Sequence, residues 1–300
     1  MAAPQASREG DDSRPADGHR SPVVVSGRGP LRRDPLDALM LSRDQERPDA
    51  AGCPAIVVVP MTEPGWPAAQ RMVRVDVISN LPAALDALGV GRGRPVLVLV
   101  GGAGGMSRED LSRTAEVLSQ QVVPVLARLG AAVVDGGTDS GVMRAIGQAR
   151  SAAGADFPLI GVAAEGTVSG AEEIEPGHSH VILVPGNSWG DESPWLADVA
   201  DAVAGAAPSA TLVINGGTLT YDDIARSLER HRPVIVLAGT GRTADAIAVA
   251  VGGDGDGEDL RARQIAGSAL TRVVDIDDGS ALAEMLASIL GRSPAAGVDE

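Results

Sequence analysis

The chain has 300 residues, a formal net charge of −15 and no lysine, so arginine supplies all 25 fixed positive charges. The missing lysine excludes a P-loop NTPase, a Schiff-base enzyme and a pyridoxal phosphate enzyme, and the acidic balance disfavours nucleic acid and anionic membranes, which need basic surface. A single cysteine, Cys53, rules out an internal disulfide and a multi-cysteine metal cage, and aromatic residues at 2% mean that the core has to be aliphatic.

Residues 1–51 mix Arg, Asp, Pro, Gly and Ser with little apolar periodicity and are expected to form a disordered tail. No apolar stretch approaches the roughly 20 residues of a membrane span, and residues 1–12 carry no signal-peptide core, so a cytoplasmic protein without membrane contact is expected. Short strands are predicted at 55–59 and 72–78, then a short helix at 81–88 stopped by Gly89. The apolar run from Pro95 predicts a strand. In the helix that follows, Leu111, Ala115, Leu118, Val122, Val125 and Leu129 recur at helical spacing, Ser107 and Asp110 supply the N-cap, Gly130 the stop, and Pro124 a kink. Strands are then predicted up to Asp135 and at 159–163, 180–184, 211–214, 233–237 and 271–276, and helices at 140–153, 194–204, 220–230, 242–251 and 280–290. Loops at 165–177 and 252–262 interrupt this rhythm.

Continuous Val/Ile/Leu runs alternating with helices imply a parallel sheet covered on both faces. The expected fold class is therefore α/β, a Rossmann-like doubly wound, mainly parallel sheet with helices on both faces. It occupies 52–292 as one domain, with a flexible C-terminus at 293–300.

Four of the predicted strands end in a glycine-rich turn that opens a helix. The turns carry Gly101, Gly102, Gly104 and Gly105; Gly136, Gly137, Thr138 and Ser140; Gly216, Gly217, Thr218 and Thr220; and Gly239, Thr240, Gly241 and Arg242. Glycine admits a ligand close to the backbone, and a helix N-terminus offers unpaired N–H groups and partial positive charge. The pattern predicts a pocket for a phosphorylated small molecule at the carboxyl ends of the strands, with Gly186 after the 180–184 strand as a further wall. Arg242 is the expected fork-shaped phosphate donor, and a Gly102→Val change is expected to harm binding more than folding. Thr138 and Ser140 serve either as phosphate donors or as helix caps. The letters around Ser140 are not those of a nucleophile elbow.

The strings HSHVILVPG at 178–186, GGTDSGVM at 136–143 and GTGRTADAIA at 239–248, in that spacing, resemble the nucleotide-sensing region at the amino terminus of melastatin-type TRP channels. They resemble its free-standing bacterial relatives, the LSDAT proteins of the SLOG superfamily, more closely. The resemblance implies a Rossmann-like domain that binds ADP-ribose, cyclic ADP-ribose, NAD or a related nucleotide derivative, acts as a sensor, and requires no cofactor. A sensor without an effector of its own needs a homo-oligomer or a separate effector protein as partner. The string at 216–223 also resembles the G-G-x-G-T-x-x-E motif of the lonely-guy phosphoribohydrolases, with Leu219 in place of the third Gly and Asp223 in place of the Glu. That resemblance implies the alternative activity, N-glycosidic hydrolysis of a nucleoside 5′-monophosphate with Asp223 as the catalytic carboxyl. Without it, Thr220 and Asp223 read as a capping box.

Three other features have weaker chemical readings. His178 and His180 lack the further ligands that a metal needs, Glu173 and Glu175 being the only carboxylates nearby, so no metal is expected. The acidic run at 254–259 has the wrong spacing for a calcium loop. Trp189 and Trp195 either stack on a base or anchor their loop.

Overall fold

The computed structural model describes residues 70–102, 104–170, 173–253 and 259–292. The expected tail, the strand at 55–59, the run at 254–258 and the C-terminal segment lie outside the described residues.

Eight strands form one sheet: β1 (Arg71–Arg74), β2 (Val96–Gly101), β3 (Ala132–Asp135), β4 (Leu159–Ala164), β5 (His180–Val184), β6 (Ser209–Ile214), β7 (Val234–Ala238) and β8 (Thr271–Asp275). Their order is β1-β5-β4-β3-β2-β6-β7-β8 and every neighbouring pair is parallel. From β2 the chain winds outward through β3, β4 and β5, then returns to place β6 on the other side of β2. The crevice outside the carboxyl ends of β2 and β6 is thus the switch point where doubly wound sheets bind ligands.

Period-two alternation sends Val96, Val98 and Val100 into the core on one face and Leu97 and Leu99 into the core on the other. The first face is covered by α1 (Leu81–Leu88), α5 (Ser193–Ala204), α6 (Thr218–Glu229), α7 (Arg242–Gly252) and α8 (Leu260–Ala266). The second is covered by α2 (Arg108–Val117), α3 (Val123–Leu129), α4 (Gly141–Ala152) and α9 (Gly279–Leu290). Among the described residues no helix is long and apolar enough to cross a membrane.

Most element boundaries follow the sequence signals. The Ser107 hydroxyl accepts the Asp110 N–H, and Gly89 and Gly130 terminate their helices in the left-handed conformation. The break expected at Pro124 is a π-helical turn, Leu118–Val122, joining α2 to α3. The wider turn absorbs the bond that proline cannot donate and the clash of its ring with the preceding turn. Two predictions are corrected. β1 ends at Arg74 rather than continuing to Ile78, which opens a 3-10 turn. The loop predicted at 252–262 contains the start of α8, a helix with too few apolar residues to show periodicity.

Candidate functional site

The turns after β6 and β7 are tied into one unit by Asn215 and Thr240, both buried. Asn215 donates from its backbone N to Thr240 Oγ1 at 2.8 Å and from Nδ2 to the Thr240 carbonyl at 2.6 Å. Its Oδ1 accepts the Gly216 N–H at 2.8 Å and its carbonyl accepts the Ala244 N–H at 2.9 Å. Thr240 in turn donates from Oγ1 to the Leu237 carbonyl at 2.7 Å. Asn215 adopts φ 58°, a left-handed conformation that Asn tolerates better than most residues. An Asn215→Ala variant would leave several shielded partners unsatisfied and is expected to lose about 2–3 kcal/mol of unfolding free energy in urea.

These bonds sort the predicted ligand residues. The hydroxyls of Thr240 and Thr220 are committed inside the protein, Thr220 Oγ1 accepting the Gly217 N–H at 3.0 Å. Gly216, at φ 103°, and Gly241, at φ 91°, provide the backbone reversals before α6 and α7. The amides of Thr218, Leu219, Arg242 and Thr243 have no acceptor among the described residues and open the two helices side by side. Arg242 lies across the gap. Its Nη1 donates to the Gly104 carbonyl at 2.9 Å, and Nη2 sits 2.9 Å from where a Cβ on Gly217 would be. Its own φ of 52° is uncommon outside glycine, a strain of the kind that collects at functional sites. Gly216, Gly217, Thr218, Tyr221, Arg242, Thr243, Asp245, Ala246, Val249 and Asp259 line an open cleft of about 530 Å³ beside these helix ends. The Tyr221 ring is covered by the Arg261 guanidinium, 4.2 Å from its centroid.

The β2 turn adjoins this unit. Gly102 N donates to the Ile214 carbonyl and its carbonyl accepts from Val142 N, both at 3.2 Å. A Cβ on Gly101 would fall 2.1 Å from the Ile214 carbonyl oxygen, and one on Gly102 would fall 2.5 Å from Asn215 Oδ1. Gly102→Val is therefore expected to disrupt the Asn215 clamp and harm folding as well as binding. Gly104 has open space where a side chain would lie.

The β3 turn is welded to the segment before β5. Thr138 pairs with Ile174, Asp139 N donates to the Glu173 carbonyl and Glu175 N to the Gly137 carbonyl. Gly137 presses on Gly161, where a Cβ would fall 2.8 Å from the Gly161 Cα. Thr138 is buried with its hydroxyl 3.2 Å from that of Ser140, while Gly136 faces open space. Gly186 packs between Ala164 and Asp191. Among the described residues these contacts join the β2, β6 and β7 turns with the start of α4, and leave Gly186 apart from them.

His178 proves to be the centre of a buried network that its sequence neighbourhood only half reveals. Its Nε2 donates to Asp135 Oδ1 and its Nδ1 to Glu175 Oε2, each at 2.8 Å, and Asp135 Oδ1 also accepts the Gly137 N–H at 2.8 Å. Burial alone would push the imidazole down, but Asp135 and Glu175 outweigh it and raise the pKa to about 9. His180 behaves oppositely: burial, helped by Arg71 and Arg150, lowers it to about 4. Among the described residues no cluster of potential ligands could hold a metal.

Asp223 stands on the side of α6 away from the cleft. Burial raises its pKa to about 7; the Ser193 hydroxyl opposes the shift and Glu192 adds to it. Its Oδ1 is shielded and has no hydrogen-bond partner among the described residues. Burial raises Glu192 as well. The capping-box reading of Thr220 and Asp223 does not describe the helix start, because α6 begins two residues earlier than predicted and Gly217 is its N-cap. The two tryptophans also part: Trp195 packs against the core while Trp189 is 55% exposed.

Residues 94–284 match the family described as SLOG in TRPM, prokaryote. Among solved structures, the chain is similar to the X-ray structure of TM1055, with 23% identity over 64% of this chain and 99% of that one and a TM-score of 0.44. It is also similar to the molybdenum cofactor binding protein from the phototrophic bacterium Rippkaea orientalis, with 16% identity over 65% and 97% and a TM-score of 0.44. No curated protein matches it significantly.

Proposed function

On the premise that the chain belongs to the prokaryotic SLOG family related to TRPM, we propose that it binds and senses a nucleotide-derived small molecule of the ADP-ribose, cyclic ADP-ribose or NAD class, without turnover. The observation that carries this reading is the convergence of two helix N-termini and one arginine. The open amides of α6 and α7 face the same cleft, and the Arg242 guanidinium bridges the β2 and β6 turns above them. Phosphate oxygens placed there gain backbone donors, two helix dipoles and a charge-assisted hydrogen bond. With a net charge of −15, the protein has to attract an anion through such local donors. Asp245 and Asp259 on the cleft wall are acceptors suited to ribose hydroxyls. The read-out would pass through a homo-oligomer or an effector protein in the cytoplasm.

Removing a charge-assisted contact is worth about 1.5–3 kcal/mol, so Arg242→Ala is expected to weaken every phosphorylated ligand by about 10–150-fold in titration calorimetry. Unchanged affinity would place the phosphate elsewhere.

The second reading, N-glycosidic hydrolysis, is favoured by one observation. A carboxyl with a pKa near 7 holds a proton at neutral pH and can pass it to a departing base while water adds to the sugar. Incubation with ADP-ribose, cyclic ADP-ribose, NAD and AMP, followed by mass spectrometry, separates the two. A retained intact compound supports sensing; free base and ribose phosphate support hydrolysis.

A further inference from the structure

We propose that the chain forms a two-fold dimer in which the open edges of β8 from two copies pair antiparallel about Val273, joining their sheets into one. The pairing does not depend on the ligand-binding reading above, and it assigns the partner that reading leaves open.

Among the described residues β8 has a neighbouring strand on one side only. Its bonds to β7 fix which backbone groups point outward. The Leu270 carbonyl accepts the Val234 N–H at 3.0 Å, and the Ile276 N–H donates to the Ala238 carbonyl at 2.9 Å, so the even-numbered residues of this strand bond inward. The N–H and C=O of Val273 and the N–H of Asp275 are therefore turned to the open side. The Thr271 carbonyl joins them there and accepts the Arg272 guanidinium at 2.9 Å. A row of such groups is a template for another strand, and this row is its own complement. In an antiparallel pair centred on Val273, each Val273 gives its N–H to the carbonyl of the other. Each Asp275 N–H meets the opposite Thr271 carbonyl. Every outward group is then satisfied, and the two-fold axis closes the assembly.

The side chains support the same pairing. Arg272 and Arg292 lie at the amino end of the edge, and Asp275, Asp277 and Asp278 lie at its carboxyl end, where Arg113 engages Asp277. Antiparallel pairing sets the basic end of each copy against the acidic end of the other, whereas parallel pairing would set like charges together. The other sheet edge lacks this polarity, because the charges of β1, Arg71 and Arg74, have one sign. Beside β8, a groove of about 600 Å³ exposes Ala281, Met285 and Ile289, spaced four apart along α9, together with Leu270. The same axis lays the partner's α9 against this apolar stripe. At its carboxyl end the edge also adjoins the β7 turn, where a Cβ on Gly239 would fall 3.0 Å from Ile276 Cγ2. The second copy thus meets each protomer beside one of the glycine turns.

Sedimentation equilibrium of the full chain is expected to give twice the 30.4 kDa mass of one chain. Val273→Pro removes the outward N–H and breaks no bond to β7, and proline is accommodated on a strand edge, so circular dichroism should stay that of the wild type. Two bonds across the axis are lost at once, and the dimer is expected to dissociate roughly 10–100-fold more readily. Arg292→Glu, which sets like charges together across the axis, should weaken it too. Position is read separately by cross-linking. In a Cys53→Ser background, a short bismaleimide should join two copies of Val273→Cys and should not join copies of Val251→Cys, whose side chain is exposed on α7. A monomer at every concentration, a dimer that Val273→Pro or Arg292→Glu leaves unweakened, or equal cross-linking at the two positions would overturn the proposal. If Val273→Pro did not fold, the cross-linking and Arg292→Glu would decide.

Discussion

Replacing His178 with alanine is expected to lower the free energy of unfolding by about 3–5 kcal/mol, the usual effect of removing one partner from a buried ionic group. Asp135 and Glu175 each meet the imidazole at 2.8 Å, and Asp135 and His178 are almost wholly withdrawn from solvent. Without the ring, two carboxylates face each other across a cavity. The Asp135 Oδ2 atom already lacks a partner among the described residues, so none of them offers a spare donor to compensate. The pH dependence provides an independent check. The folded pKa is raised, from 6.5 to about 9, so the stabilisation is fully present below pH 6.5 and is lost as pH rises through about 9. Wild-type stability should therefore fall on the order of 3 kcal/mol between pH 6.5 and pH 9, and His178→Ala should lack that slope. Because the network holds the Gly137 N–H and the turn after β3, the variant should also show faster hydrogen exchange at 136–140 than elsewhere in the sheet. A flat pH profile in the wild type would mean that the ring is neutral and the network is an ordinary hydrogen-bonded one.

The limits of legibility follow from the range over which each interaction acts. Where a signal is local, the sequence and the structure agree: β5 and α1 have the predicted boundaries, and Ser107, Gly89 and Gly130 perform the capping expected of them. The four glycine turns were visible for the same reason, since a buried apolar run followed by glycine and a helix is a pattern of neighbours. What could not be read is set by partners distant in sequence. Asn215 and Thr240 are 25 residues apart, and His178 and Asp135 are 43 apart. Glu175, three residues before His178, offered a faint signal, as did an aspartate closing the apolar run of β3. Helix α8 escaped because its order comes from packing: Ala262 and Ile265 sit in the core, and Arg261 rests on the Tyr221 ring. Trp189 and Trp195, six residues apart, looked equivalent in sequence; only the fold assigns one to the core and the other to the surface.

Asp223→Asn should make the protein more stable, the opposite of what a buried polar substitution usually does. A carboxyl whose folded pKa is raised above its unfolded value destabilises the native state once the unfolded chain can ionise. Here the shift runs from 3.8 to about 7, so wild-type stability falls as pH rises between those values and stays reduced above them. For a fully shielded group the shift would amount to about 4 kcal/mol. The residue as a whole is only half-buried, so about 1–3 kcal/mol is expected, read as the difference in unfolding free energy between variant and wild type at pH 8. At pH 4 the difference should nearly vanish, because both states then hold the proton. Asparagine keeps the shape and can still face Ser193, yet has no charge to desolvate. A buried group that weakens the fold is a candidate for a functional constraint, and the same variant tests whether there is one. If the protein hydrolyses a glycosidic bond, Asp223→Asn is stable, binds and does not turn over. If it senses an intact ligand, the variant is stable and its affinity is nearly unchanged. A variant less stable than the wild type at pH 8 would mean that the carboxyl has a partner and that its proton is not available for catalysis.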